Sequence, residues 1–352
     1  MARSTLRERL EVRAGKALLD LPPALLGKLA GKPIERDGFT LDPQSQLLTV
    51  LHKATGRKQT WQLGVEGARK EMESAARAFS PESPPLDRVE ERFLQGAEGR
   101  LRARVYRPRG LPSGPAPALV YFHGGGWVVG SIDSHDGVCR ALAADAEVVV
   151  ISVDYRLAPE HPFPAPVDDA IAAFQSAAAR AAELGIDPKR LAVGGDSAGG
   201  TLSAVVSQQL AGQEVSPRFQ MLIYPAADLT KSFPSIRTMD RGFFLDGEAL
   251  DWYLERYVPK GQDLKDPKVS PLYATERSFA GLPPAFVATC GFDPLRDEGN
   301  AYAEKMKAAG VPVEARCYGS LYHGFFNLSG GVAAAREPFA DAAAAVRRAL
   351  RG

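Results

Sequence analysis

The sequence has few cysteines, no excess of charge of one sign and no long apolar run. Its three cysteines, Cys139, Cys290 and Cys317, stand far apart and lack the spacing of a disulfide framework or a metal site, which favours a reduced compartment. The 43 Lys and Arg residues nearly balance the 42 Asp and Glu residues. That balance removes the electrostatic reason to expect nucleic acid or an anionic membrane surface as a partner.

Apolar segments stay short along the whole chain. None approaches the ~20 residues needed to span a bilayer, and charges interrupt the first twenty residues too often for the core of a signal peptide. We therefore expect a soluble, cytoplasmic protein without an integral membrane segment. With 352 residues, 45% of them hydrophobic, the chain is long enough for one large core.

A proline-rich stretch near residue 85 separates two kinds of pattern. Before it, apolar residues recur at helical spacing, most clearly from Gly64 to Phe79. We predict an N-terminal helical extension and cap over residues 1–85 and an α/β domain over residues 86–352. An aromatic-rich interruption of the second part, at about 228–272, is predicted to contribute to the cap.

The second part alternates between short buried-type apolar runs and helical patterns. Its predicted strands are 102–106, 118–122, 147–153, 191–193, 221–224, 285–289 and 313–317. Its predicted helices are 166–184, 198–210, 295–309 and 333–350. Alternation of this kind predicts a mainly parallel central sheet flanked by helices.

The segment Gly195-Asp196-Ser197-Ala198-Gly199 directly follows one predicted strand and opens the predicted helix 198–210. So tight a turn strains the central residue and raises its hydroxyl above the sheet, beside the positive end of the helix. The Gly-x-Ser-x-Gly pattern alone occurs by chance in roughly 0.2 of chains of this length, and the alternative is a plain glycine turn. Its place between strand and helix favours Ser197 as a nucleophile.

A glycine-rich loop, His123-Gly124-Gly125-Gly126-Trp127, follows the predicted strand 118–122. Consecutive glycines let backbone N–H groups face an open pocket, where they can stabilise the oxyanion formed when a hydroxyl attacks an ester carbonyl. We assign this role to the N–H groups of Gly124 and Gly125, with that of Ala198 as the third donor. His123 is expected to fasten the loop by hydrogen bonds rather than to act as a base.

A nucleophilic serine needs a base, and the base needs an acid that orients it. Among the five histidines, His323 is the one downstream of Ser197, which the chain order nucleophile, acid, histidine requires. It follows the predicted strand 313–317. The sequence therefore predicts His323 as the base.

Several carboxylates compete for the role of the acid. Asp293 stands at the carboxyl end of the predicted strand 285–289, where sites of open α/β sheets are built. Asp297 and Glu298 fall one turn into the next helix, where they would complement its positive end. The side chain of Asp196 should point away from the imidazole. We predict Asp293 as the acid.

Five collinear blocks of the sequence resemble those of the bacterial hormone-sensitive-lipase family of esterases, family IV, of the GDSAG type. They are HGGGW at 123–127, DYRLAPEHPFPAP at 154–166, GDSAGG at 195–200, DPLRDEG at 293–299 and YHGF at 322–325. The resemblance implies an α/β-hydrolase fold with a helical cap, the triad Ser197, Asp293 and His323, no cofactor and no metal. It also implies a homodimer, as in many members, and a structural role for Arg156 and Glu160 behind the site. Residues 1–40 precede the usual start of the family's cap, and their role stays open.

The expected function is that of a serine carboxylesterase acting on a small-molecule ester of short to medium acyl chain through an acyl-enzyme. Trp127, Phe243 and Phe244 are candidate walls of the substrate pocket, although such aromatics are as often plain packing residues. An amidase, lactonase or carbamate hydrolase would use the same residues, and the motifs leave these alternatives open. A ligand-binding pseudo-hydrolase is the alternative from another class, and the three intact reactive residues argue against it.

Overall fold

Helices and strands alternate along most of the chain, which the computed structural model describes over residues 15–112 and 114–351. The N-terminal region holds α1 (Pro23–Ala30), β1 (Glu35–Arg36), β2 (Phe39–Thr40), α2 (Pro43–Ala54) and α3 (Gly64–Phe79). The later strands are β3 (Arg88–Gly96), β4 (Gly99–Arg107), β5 (Ala116–Phe122), β6 (Val149–Val153), β7 (Ile186–Asp196), β8 (Gln220–Ile223), β9 (Ala285–Phe292) and β10 (Val313–Tyr322). The later helices are α4 (Asp136–Ala146), α5 (Ala165–Ala179), α6 (Ala181–Leu184), α7 (Ala198–Leu210), α8 (Ser235–Thr238), α9 (Gly247–Tyr257), α10 (Glu276–Ala280), α11 (Arg296–Ala308) and α12 (Arg336–Arg351).

In the described part of the chain, eight strands form one sheet in the order β10-β9-β8-β7-β5-β6-β4-β3. Neighbours from β10 to β6 pair in parallel, whereas β4 is antiparallel to both β6 and β3. Every residue of β5, β6 and β9 is buried, because α5 and α7 cover one face of the sheet while α4 and α12 cover the other. The predicted α/β architecture, with a mainly parallel sheet flanked by helices, is confirmed.

The carboxyl ends of four parallel strands meet at one edge of this sheet. Phe122 at the end of β5 lies opposite Gly195 of β7, and Phe292 at the end of β9 lies opposite Tyr322 of β10. Four segments begin at this edge: the glycine-rich loop (123–127), the serine turn (195–199), the acid loop (293–295) and the histidine loop (323–325). Parallel pairing therefore gathers four segments that are far apart in the sequence.

The N-terminal region and residues 228–272 contact each other beyond this edge. The guanidinium of Arg36 donates to the backbone oxygens of Thr238 at 3.2 Å and Arg241 at 3.0 Å, and Asp37 accepts the Thr238 hydroxyl at 2.8 Å. We refer to residues 15–85 and 228–272 together as the cap, and their covering of the site stays a prediction. None of the helices in the described ranges is long and apolar enough to cross a membrane.

The structure differs from the sequence-based expectation in several elements. Helix α4 and strand β3 are absent from the predicted elements, the predicted helix 166–184 is divided into α5 and α6, and β7 and β10 are longer than predicted. The edge strand β3 is not predicted, because four of the nine residues of its sequence RVEERFLQG are charged, only two are buried, and the sequence shows no apolar alternation. The β1–β2 hairpin interrupts a region expected to be helical. The bounds of α3 and α7 match the prediction, and the part of the chain before residue 15 lies outside the described residues.

Candidate active site

Ser197 lies in the turn between β7 and α7, with φ 54° and ψ −122°. A positive φ is a strained conformation for serine, and the surrounding packing enforces it. A Cβ atom at Gly195 or Gly199 would lie 2.2 or 1.9 Å from the carbonyl oxygen of Phe122, so only glycine lets the turn pass this close to β5. The N–H group of Ala198, the first residue of α7, has no partner within its helix.

Three loops bring Ser197, His323 and Asp293 into one chain of hydrogen bonds. Nε2 of His323 is 2.9 Å from Oγ of Ser197, and its Nδ1 is 2.8 Å from Oδ2 of Asp293. Asp293 is fully buried, and its Oδ1 accepts the N–H of Leu295 at 2.9 Å. An ionised carboxylate can only accept, so Nδ1 carries the proton and Nε2 is free to accept the serine hydroxyl.

The imidazole of His323 is packed against the ring of Tyr224, which Phe325 supports from behind. The ring of Tyr224, which follows β8 with φ 37°, lies 4.4 Å from it, and Phe325 meets Tyr224 edge-on at 4.9 Å. This contact restricts the plane of the imidazole. Tyr224 is not among the predicted site residues, and its only local signal is its position at the carboxyl end of a strand.

The carboxylates that follow Asp293 in the chain have other partners. Asp297 accepts the backbone N–H of Ser235 at 2.9 Å, which attaches α11 to the cap. Glu298 is fully buried and accepts the N–H groups of residues 227 and 228 at 2.8 and 3.2 Å; burial raises its pKa well above the usual range. In the described ranges, no group of three or more His, Cys, Asp or Glu side chains is arranged to hold a metal ion.

Asp196 points away from the imidazole, as expected, and towards the glycine-rich loop. Its Oδ1 accepts the hydroxyl of Tyr121 at 2.6 Å and the N–H of Gly124 at 3.0 Å, and its Oδ2 accepts the amide of Asn327 at 3.1 Å. Burial alone raises the pKa of this carboxyl, but His135, 3.3 Å away, and the hydrogen bonds outweigh burial and hold it at about 2. An ionised carboxylate therefore joins the serine turn to the loop.

This contact corrects one of the predicted oxyanion donors. Since the N–H of Gly124 donates to Asp196, it is not available to a substrate. The N–H groups of Gly125 and Gly126 have no hydrogen-bond partner among the described residues. These two glycines have φ 118° and 59°, a conformation that few other residues adopt.

His123 fastens the glycine-rich loop, as expected. Its Nδ1 is 2.8 Å from the backbone oxygen of Gly124, its ring stacks on that of Tyr155 at 4.3 Å, and the Tyr155 hydroxyl donates to its backbone oxygen at 2.7 Å. Burial, with a smaller contribution from His135, lowers the pKa of His123 to about 3. The ring is therefore neutral at pH 7.

Arg69 of α3, which is not among the predicted site residues, anchors the segment behind the glycine-rich loop. Its Nε donates to the backbone oxygen of Val128 at 2.9 Å and its Nη2 to that of Ala158 at 3.1 Å. The same guanidinium binds both carboxylate oxygens of Glu160, at 2.7 and 2.8 Å. Arg156 pairs with a different carboxylate. The partner of Glu160 carries no local signal because it lies 91 residues away in the sequence.

The three aromatic residues considered as pocket walls lie in different environments. Trp127 is buried and stacks on Tyr257 with ring centroids 4.1 Å apart. Phe243 is buried and meets Phe292 edge-on at 5.2 Å. Phe244 alone among the three is open to solvent, with 41% of its surface exposed.

Several known proteins that are similar to this chain are named as ester hydrolases. A family model described as alpha/beta hydrolase fold matches residues 119–327. The chain is 43% identical over 325 residues to the carboxylic ester hydrolase LipN of Mycobacterium tuberculosis, covering 87% of this chain and 83% of that protein. It is 38% identical over 279 residues to an ethyl acetate hydrolase of Pseudomonas putida, covering 78% and 87%. A solved ester hydrolase from the metagenome of Lake Arreo, complexed with a bipyridine phosphonate derivative, has a TM-score of 0.85 and 43% identity over 89% of this chain and 100% of its own.

Proposed function

This chain belongs to the α/β-hydrolase fold family, to its hormone-sensitive-lipase type, and from that membership we propose that it cleaves short- to medium-chain acyl esters through Ser197, His323 and Asp293. The family predicted from the five sequence blocks is confirmed, and so is the assignment as a carboxylic ester hydrolase. The roles of the individual residues and the length of the acyl chain are our inference.

The chain of two hydrogen bonds from Ser197 through His323 to Asp293 carries this proposal. Both distances, 2.9 and 2.8 Å, are those of a base that accepts the serine proton and of an acid that fixes its tautomer. Asp293 is fully buried, which keeps water from competing for the imidazole.

The reaction follows from these contacts. Oγ of Ser197 attacks the ester carbonyl while Nε2 of His323 takes its proton, and the carboxylate of Asp293 stabilises the imidazolium. The imidazolium then protonates the leaving alcohol, which leaves the acyl group on Ser197. A water molecule, deprotonated by His323, attacks the acyl-enzyme in the same way and releases the acid.

The tetrahedral oxyanion needs donors that are free before the substrate binds. We assign this role to the N–H groups of Gly125, Gly126 and Ala198, in place of the set that included Gly124. Those of Gly125 and Gly126 have no partner in the described part of the chain, and that of Ala198 is at the start of a helix. Gly124 has a different role: its bond to Asp196 holds the loop beside the serine turn.

The proposed preference for short to medium acyl chains is supported by the name of one relative and by the surroundings of Phe244. A relative is named for ethyl acetate, a two-carbon acyl ester. In this chain the cap holds Phe244 partly exposed beside the histidine loop. We propose that the cap covers the acyl chain and that Phe244 forms part of the pocket wall.

Replacement of Ser197 by alanine tests the proposal. Ser197→Ala should lower turnover of p-nitrophenyl butyrate by at least about 10⁴-fold. The midpoint of the unfolding transition should not change. A fluorophosphonate probe should label the unsubstituted protein and not the variant. Ser207→Ala is the matched control, because Ser207 is a buried serine of α7, the helix that follows Ser197, and its hydroxyl bonds only to a backbone oxygen. Near-normal turnover by purified Ser197→Ala protein would contradict the proposal.

A further inference from the structure

Cys290 contacts the proposed catalytic acid and has no part in the mechanism above. It lies in β9, three residues before Asp293, and its side chain is fully buried. Its sulfur is 3.4 Å from Oδ2 of Asp293, the oxygen that Nδ1 of His323 contacts at 2.8 Å. The other oxygen of the carboxylate accepts the N–H of Leu295. The thiol and the imidazole therefore share one carboxylate oxygen.

In this contact the thiol is the donor. Burial raises the pKa of Cys290 well above its usual range, and the charge of Asp293 raises it further, so the sulfur keeps its proton. An ionised carboxylate has only lone pairs to offer. Within the described residues, Oδ2 of Asp293 is the one acceptor that the thiol meets.

The surroundings of this contact are apolar. Cys290 belongs to the same buried cluster as Leu321 and Phe325, so water does not compete for the carboxylate, and a weak donor there counts for more than it would in water. The ionisable groups that face Asp293 and Cys290 from neighbouring elements are Tyr224 after β8, Arg296 and Glu298 of α11, and Cys317 of β10.

We propose that Cys290 is a positioning residue for ester hydrolysis. Its S–H orients the Asp293 carboxylate and weakens the hydrogen bond between that carboxylate and the His323 imidazolium. The inference rests on the proposed role of Asp293. Two donors on one oxygen weaken each other's bonds, because each reduces the negative charge that the other meets. Removal of the thiol should therefore make the imidazolium more stable, and a stronger donor at the same place should make it less stable.

The pH dependence of kcat/KM tests this with two substitutions. The acid limb of the profile reports the protonation of His323 in the free enzyme. Cys290→Ala should move its midpoint up by about 0.4 pH unit, and Cys290→Ser, a stronger donor, should move it down by about the same amount. The proton resonance of His323 Nδ1–H should move downfield in the first variant and upfield in the second. Cys317→Ser, which changes a thiol of the next strand, should leave the midpoint where it is.

Opposite shifts separate a donor from a packing residue, because both substitutions remove the same sulfur. Shifts of one sign, or none in either variant, would overturn the proposal. Cys290→Ser differs from the parent by one atom. If Cys290→Ala does not fold, a downward shift of the midpoint in Cys290→Ser supports the proposal, and any other result rejects it. Fluorophosphonate labelling of the unsubstituted protein distinguishes failure of the proposed function from failure of the role of Cys290. If Ser197 is not labelled, the proposed function itself fails. If Ser197 is labelled and the midpoints do not move, only the role of Cys290 is rejected.

Discussion

The serine turn and the cap both border the proposed site, and different interactions hold them. The turn depends on Asp196, a buried carboxylate that accepts the N–H of Gly124 and two side-chain donors. The cap depends on ion pairs that reach solvent. The side chain of Glu160 opposite Arg69 is 53% exposed, and that of Asp37 opposite Arg296 is 29% exposed.

The difference matters because the cost of disturbing a charge depends on its burial. When a buried charge loses its partner, water cannot take the partner's place, and the uncompensated charge is strongly destabilising. When an exposed charge loses its partner, water replaces it. We therefore expect changes in the serine turn to lower stability and rate together. Changes in the cap should alter rate or selectivity with a smaller loss of stability.

Asp196→Asn is expected to have the largest effect on stability. It removes the charge that three donors and His135 face, which should lower the free energy of unfolding by about 2 to 4 kcal/mol. The pKa of Asp196, about 2, lies below the ordinary 3.8, so its ionisation stabilises the fold above about pH 4 and stops doing so as the pH falls through about 2. Chemical denaturation at several pH values measures both effects.

The pH dependence makes this prediction specific. The difference between parent and Asp196→Asn should shrink by about 2 kcal/mol between neutral pH and pH 2. Asp187→Asn is the control, because the side chain of Asp187 is paired with Arg190 at the surface and should cost less than about 1 kcal/mol. A difference for Asp196→Asn that stays constant with pH would show that the charge is not what holds the turn.

Arg69→Lys tests the cap side of the comparison and should have an intermediate effect. Lysine keeps the charge but cannot bind Val128, Ala158 and Glu160 at once. We expect a loss of about 1 kcal/mol in unfolding free energy and a fall in kcat/KM of roughly fivefold, because Val128 follows the glycines that we propose as oxyanion donors.

Glu160→Gln separates the two functions of Arg69. It removes the ion pair and leaves the bonds from Arg69 to the two backbone oxygens, so kcat/KM should change less than in Arg69→Lys. Any loss of stability should shrink at high salt. If Glu160→Gln lowers kcat/KM as much as Arg69→Lys does, the ion pair rather than the backbone contacts positions the loop.

The sequence predicts best those parts of the molecule that are buried and local. Strands β5, β6 and β9 appear as apolar runs because both of their faces are covered. Strand β3 escapes prediction because its energy comes from pairing with β4 at an edge of the sheet, where charged side chains are compatible with a strand. Whether this segment forms a strand depends on its tertiary pairing with β4 and not on its local composition.

The same limit applies to the site. Ser197, Asp293 and His323 can be predicted because each follows its own strand and parallel pairing brings the strand ends together. The partner of Gly124 cannot be predicted, because it depends on the direction of the Asp196 side chain in the folded turn. The contact of the Cys290 thiol with Asp293 cannot be predicted either, because the sequence shows only a cysteine within an apolar strand.

Phe244→Ala should have the smallest effect on stability and a measurable one on selectivity. Phe244 is 41% exposed and lies 5.5 Å from the ring of His52 and 5.1 Å from that of Tyr322, next to the proposed base. Its removal should change the unfolding free energy by less than about 1 kcal/mol. If the ring borders the acyl chain, the ratio of kcat/KM for p-nitrophenyl octanoate to that for the acetate should fall about fivefold, the equivalent of ~40 Å² of lost apolar contact. Leu29→Ala, which truncates an exposed apolar side chain of α1, should leave the ratio unchanged, and an unchanged ratio in Phe244→Ala as well would move the acyl pocket away from this part of the cap.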